Sequence, residues 1–184
     1  MSAGGSSSDD DVPSCGDVVA ELRRALRDPE HRSTRRIVGR LIDLLRSNFE
    51  QWNLEDEARG RGADDAAVAG AKRAIDGLNT GRHDIVEEID AAIDRAVTQT
   101  ASAPLATESP AMAFDRLSVL VIRIHHTELA AGEGAPDADR YAARLPVLYR
   151  QMTDLEQAID ALIEDVREGT RRFVPYQSLK LYGE

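Results

Sequence analysis

Six apolar side chains, Leu148, Met152, Leu155, Ile159, Leu162 and Val166, recur at alternating spacings of four and three. On a helix of 3.6 residues per turn this spacing aligns them into one seam that another helix must cover. A strand would scatter the same residues over two faces. Other stretches share the helical period. Val18, Val19, Leu22, Ala25 and Leu26 mark a short amphipathic helix that closes at Asp28-Pro29, because the residue before proline is held out of the helical region. A second helix is predicted from about Ser33 to Arg59, ended by Gly60-Arg61-Gly62, and a third from about Asp64 to Val97, with a candidate break at Asn79-Thr80-Gly81. A polar connection then leads to Ser109-Pro110, an N-cap followed by proline at the first helical position, and a fourth helix over about Ala111 to Ala131. Gly132, Gly134 and Pro136 form the next turn, Asp137 is placed to cap the fifth helix, and Pro146 is placed to kink it.

Short loops between long helices make neighbours antiparallel. The expected fold is therefore all-α, an antiparallel up-down bundle of four long helices with an extra short N-terminal helix. Residues 1–14, rich in Gly, Ser and Asp, read as a disordered leader, 15–172 as the bundle and 173–184 as a C-terminal tail. A formal net charge of −10 argues against a nucleic-acid partner, which needs a cationic face. The single cysteine, Cys15, fits a reducing cytoplasm, and no apolar run is long enough to span a membrane.

The informative residues are polar ones on apolar faces. Leu41, Leu45, Phe49 and Trp52 define the buried stripe of the second helix, and Glu55, Asp56 and Arg59 continue it. Either the stripe emerges into solvent there, or these groups line a polar pocket with Trp52 as its apolar wall. On the third helix Val68, Ala71, Ile75, Leu78, Ile85, Ile89 and Ile93 share a face with Arg82, while Lys72, Asn79 and Asp90 flank it. In that position only a paired or ligand-bound guanidinium is stable. The fourth helix is apolar on two sides, as a central helix should be. One of its stripes is bounded by Asp115 and His126, while Arg116 and Arg123 share a third direction.

The same positions carry a family resemblance. Gln51-Trp52-Asn53-Leu54-Glu55-Asp56, then Lys72-Arg73-Ala74-Ile75-Asp76 with Asn79, Arg82 and Asp84, then Glu88-Ile89-Asp90 form one block; Thr107-Glu108-Ser109-Pro110, Asp115-Arg116-Leu117-Ser118 and His126 form another. With Tyr176-Gln177 and Lys180-Leu181-Tyr182, they resemble the bacterial family catalogued as domain of unknown function 4254. The resemblance implies a bacterial cytosolic protein and no particular reaction.

The chemistry can be weighed residue by residue. Glu55, Asp56, Glu87, Glu88 and Asp90 could supply oxygen ligands to Mg²⁺, but Glu55-Asp56 lacks a second acidic pair one turn on. His125 and His126 diverge by about 100° on a helix and cannot grip one ion together. Anion recognition is better supported. Arg59, Lys72, Arg82, Arg116 and Arg123 come from three helices, with Glu55, Asp56 and Asp115 able to hold the guanidiniums. The expected site is for a small anionic metabolite, phosphorylated or carboxylated, bound by Trp52, Asp56, Arg59, Lys72, Asn79, Arg82, Asp115 and Arg116. Glu55 and His126 are its candidate general acid/base groups. The rival reading makes the same charges a buried ion network that fixes helix register, and gives the fifth-helix seam to a homodimer.

Overall fold

Ser14 opens the first helix by accepting a hydrogen bond from the Asp17 amide at 3.2 Å, and Arg24 and Arg27 complement the negative end of its dipole. In the computed structural model, which describes residues 11–59 and 65–179, this helix is α1 (Cys15–Arg27). It is followed by α2 (Arg36–Arg59), α3 (Asp65–Ala96), α4 (Pro110–Ala130), the single-turn α5 (Ala138–Ala142) and α6 (Leu145–Arg167). The chain is all-helical among the described residues, with one isolated bridge between Leu105 and Arg172. No helix among them is long and apolar enough to cross a membrane. The glycine stop expected at 60–62 lies outside the described residues.

The central element is α4, which packs on α1, α2, α3 and α6 through Ala111, Phe114, Leu117, Val121, Ile122 and Ile124, all buried. Burial on both sides accounts for its two apolar stripes. Specific pairs show how the helices lie. Arg40 of α2 meets Glu88 of α3, whereas the opposite ends of these helices face each other around Leu54, Ala58, Gly70 and Ala71. Tyr149 of α6 donates to Glu128 of α4, and the Cys15 amide of α1 donates to Asp160 of α6 at 2.8 Å. The N-terminal helix is part of the core, with Cys15, Val18, Val19, Leu22 and Ala25 buried among α2, α4 and α6. Burial, reinforced by the carboxylates of Asp160 and Glu156, pushes the Cys15 thiol up to about 12, which keeps it an inert packing group.

Three local expectations are corrected. Helix α3 runs unbroken through 79–81, because packing along α2 offsets the roughly 1 kcal/mol propensity cost of each glycine. Pro146 produces no kink: the expected fifth helix is two helices, and proline falls in the first turn of α6, where its missing amide breaks no bond. Asp137 makes no capping bond and instead takes a left-handed conformation at φ 60°. Along the α6 seam Met152, Ile159 and Val166 are buried, and Leu148, Leu155 and Leu162 are partly buried against the core. Val12 and Pro13, in the stretch assigned to the leader, are also packed; residues 1–10 lie outside the described set.

Gly169, at φ +73°, turns the chain after α6 and passes so close to Thr100 that a Cβ would stand 2.5 Å from its hydroxyl oxygen. Beyond it, residues 172–178 run back along the molecule as a strap. Arg172 exchanges backbone bonds with Pro104 and Ala106, the Phe173 amide donates to Gln99 Oε1 at 2.7 Å, and the Phe173 ring is buried. The Tyr176 amide donates to Asp90 Oδ2 at 2.8 Å, while Asp90 Oδ1 accepts from the Ala111 amide at 2.9 Å. One fully buried carboxylate thus joins α3, the first turn of α4 and the strap. Burial raises the Asp90 pKa, and its bonds to Ser109, Tyr176 and Ala111 pull the other way. Asp90→Ala leaves two amides unpaired and is expected to cost about 2–4 kcal/mol in urea denaturation. Hydrogen exchange should accelerate first in 172–178; an unchanged midpoint and unchanged exchange would contradict this role.

Candidate functional site

The residues singled out by the sequence fall into three places. The first is a polar cluster where α2, α3 and α4 meet. Asn48 is buried on the α2 stripe, and its amide donates to Asp115 Oδ1 at 2.8 Å and Ser118 Oγ at 2.7 Å. Arg82 of α3 donates to the other Asp115 oxygen at 2.9 Å, and the Ser118 hydroxyl returns a bond to the Asp115 carbonyl. The Arg82 and Asp115 side chains retain only 25 % and 12 % of their exposure, so loss of either partner leaves the other charge largely desolvated and unpaired. Arg82 Nε is buried without a partner. The arginine that looked misplaced on an apolar face is therefore a paired one.

The second place is an aromatic stack between α2 and α4. His126 lies between Trp52, at 5.2 Å and 8° to its ring, and Phe49, at 5.5 Å and 11°. His125 meets it edge-on at 5.7 Å. Burial and His125 lower the His126 pKa, with Asp56 opposing, and its Nε2 is buried and unpaired. Trp52 Nε1 donates to Asp56 at 3.1 Å. One turn on, Gln51 and Arg59 both donate to Glu55, and Arg59 is 74 % exposed. The α2 stripe does emerge into solvent here: Asp56 and Arg59 are exposed and Glu55 half-buried. On α3, Lys72 is exposed and Asn79 half-buried, and no described bond joins either to these clusters.

The third place is a groove of about 600 Å³ between α4 and α6. Asp115, Arg116, Val119, Leu120 and Arg123 form one wall; Gln151, Asp154, Leu155 and Ala158 form the other. Arg116 is exposed and held by Glu108, which lines a further hollow continuing past Ala158 towards Arg171. Asp115 belongs both to this wall and to the polar cluster. The carboxylates considered for Mg²⁺ are dispersed: Glu87 accepts from the Ser178 amide, Glu88 pairs with Arg40 and Asp90 holds the strap. Among the described residues no three His, Cys, Asp or Glu side chains are placed to hold a metal ion together.

Sequence reasoning missed Asn48, although it falls at the i+7 position from Leu41 on the buried stripe and so was visible there. It also placed Asp90 on a flank, because its partners are backbone amides from segments far along the chain.

Two expectations follow. Arg82→Met alone should cost about 1–3 kcal/mol by leaving Asp115 underpaired, and adding Asp115→Leu should recover part of that loss in a double-mutant cycle. Additive losses would show that the pair does not act as a unit. For His126, a folded pKa below the unfolded value means that its neutral form favours the native state above the ordinary imidazole range, and that this contribution is lost as pH falls through it. His126→Phe, which keeps a stacking ring, should narrow the stability difference between pH 7.5 and 5.5; an unaltered difference would contradict the burial of this imidazole.

The family model described as "Protein of unknown function (DUF4254)" matches residues 40–174. No curated protein and no solved structure matches the chain.

Proposed function

The chain belongs to the DUF4254 family, and we propose from its own residues that it binds a small anionic metabolite, with an apolar portion, in the groove between α4 and α6. The observation that carries this reading is the pairing of Arg116 and Arg123 with an apolar floor of Val119, Leu120, Leu155 and Ala158. Guanidiniums two helical turns apart suit a phosphorylated or carboxylated ligand, and the floor suits a ring or chain beside the charge. Gln151 and Asp154 offer hydrogen-bond partners to sugar or ribose hydroxyls. The groove lies between two long helices, α4 and α6.

The proposal assigns binding and not a reaction. Glu55 and His126 are the acid/base candidates, but His126 Nε2 is buried between α2 and α4, on the side of α4 that faces α2. The mutual bonding of Asn48, Arg82, Asp115 and Ser118 supports the structural reading for that cluster: it fixes the register of three helices and thereby the wall of the groove. Arg82 and Asp115 then act as supports for the ligand-facing arginines.

A thermal-shift screen of sugar nucleotides, nucleotides and phosphosugars, with and without Mg²⁺, tests the reading. A ligand at about 100 times its Kd stabilises by about 2.7 kcal/mol, roughly 5–10 °C for a chain of this size. Arg116→Ala with Arg123→Ala should abolish that shift while preserving the unliganded melting temperature. A flat screen, or a shift that survives both substitutions, would overturn it.

A further inference from the structure

A second cationic hollow, sharing no lining residue with the α4–α6 groove, lies at the start of α2. It encloses about 240 Å³ and is lined by Arg32, Ser33, Arg36, Gly39, Arg40, Ile42, Asp43 and Arg46. Four guanidiniums and one carboxylate line it, and one of the four, Arg40, is also paired with Glu88 of α3, in a protein whose formal net charge is −10. General attraction of anions by this chain is therefore unfavourable, and any anion bound here must be held locally.

The arginines are positioned by the fold. Arg32 Nη1 donates to the Pro29 carbonyl at 2.8 Å and the His31 carbonyl at 2.9 Å. Arg46 Nη2 donates to the same two oxygens, at 2.9 and 2.7 Å. Two guanidiniums gripping one pair of carbonyls must lie side by side, a repulsive arrangement that neighbouring negative charge relieves. The carboxylate present, Asp43, lies 3.1 Å from Arg40 and 3.9 Å from Arg46. Among the described residues Arg36 has no ion-pair or hydrogen-bond partner for its side chain, and Arg32 has none beyond the two carbonyls. Each guanidinium carries five donors, so Arg32 and Arg46 keep most of theirs for a ligand. The first turn of α2 adds to the imbalance, having no acidic residue. Gly39 contributes no side chain to the hollow, and a Cβ built there would stand 3.4 Å from the Ser33 carbonyl oxygen, in ordinary van der Waals contact.

We infer that this hollow binds the phosphate or diphosphate group of a small soluble molecule. Tetrahedral oxyanions accept forked bonds from several arginines at once, and a diphosphate offers more acceptor oxygens to such a cluster than a single phosphate does. The ligand relieves the repulsion within the pair and supplies the acceptors that Arg36 lacks. Binding here is independent of the α4–α6 groove.

Calorimetric titration with inorganic pyrophosphate at physiological salt tests the site. Arg36→Glu removes an exposed side chain with no described partner, so its fold should be intact, and the affinity should fall at least roughly tenfold. Gly39→Glu places a carboxylate in the same space and improves helix propensity. It should abolish pyrophosphate binding while leaving the melting temperature equal or higher. Arg123→Glu, in the separate groove, should bind pyrophosphate as the unaltered protein does. Failure of the unaltered protein to bind, undiminished binding by Arg36→Glu or Gly39→Glu, or loss in Arg123→Glu would each overturn the inference.

Discussion

A single carboxylate without solvent exposure holds together three segments that the chain order keeps apart. Asp90 accepts from the backbone of α4 and of the C-terminal strap while standing on α3. Its ionised form is disfavoured by burial, yet an apolar residue in its place would strand two amides. The position therefore tolerates few alternatives. The strap is as much part of the structure as the helices, since its Phe173 ring is buried and its backbone covers the end of α3. The Tyr176 ring, edge-on to His83 at 5.8 Å, extends the same closure by another turn of α3.

A second polar junction works one level further in. Asn48, Arg82, Asp115 and Ser118 use α2, α3 and α4 in turn, and the geometry closes only at one relative register of those helices. Such a cluster adds little net stability over a well-packed apolar one, but a slipped register would leave its charges unpaired. Because Asp115 also sits on the wall of the groove, this register constraint sets where Arg116 and Arg123 stand.

Periodicity carried most of the helical plan. The seam of α6, the two-sided α4 and the capping Ser109-Pro110 could each be read from spacing and cap chemistry alone. Proline and glycine were harder to read. Pro146 acts as a helix starter and Gly81 as a tolerated interior residue, outcomes decided by neighbours and not by local preference. The candidate site was legible as a set of unusual residues but not as a place. A helical wheel gives directions around one axis, and only the packing of three axes separates Trp52 and His126 from Arg82 and Asp115, and both from Arg116 and Arg123. The arginines at the start of α2 escaped notice because a charged run at a helix start resembles an ordinary solvated face.

The stack of Trp52 on His126 has an optical consequence. Trp52 is the chain's single tryptophan, and its ring lies nearly parallel to an imidazole carried by another helix. The tryptophan emission of the protein thus originates at the contact between α2 and α4. Protonation of that imidazole, or separation of the two helices, alters the environment of the only indole present. Unlabelled protein consequently carries its own fluorescent gauge of the junction on which the central helix rests.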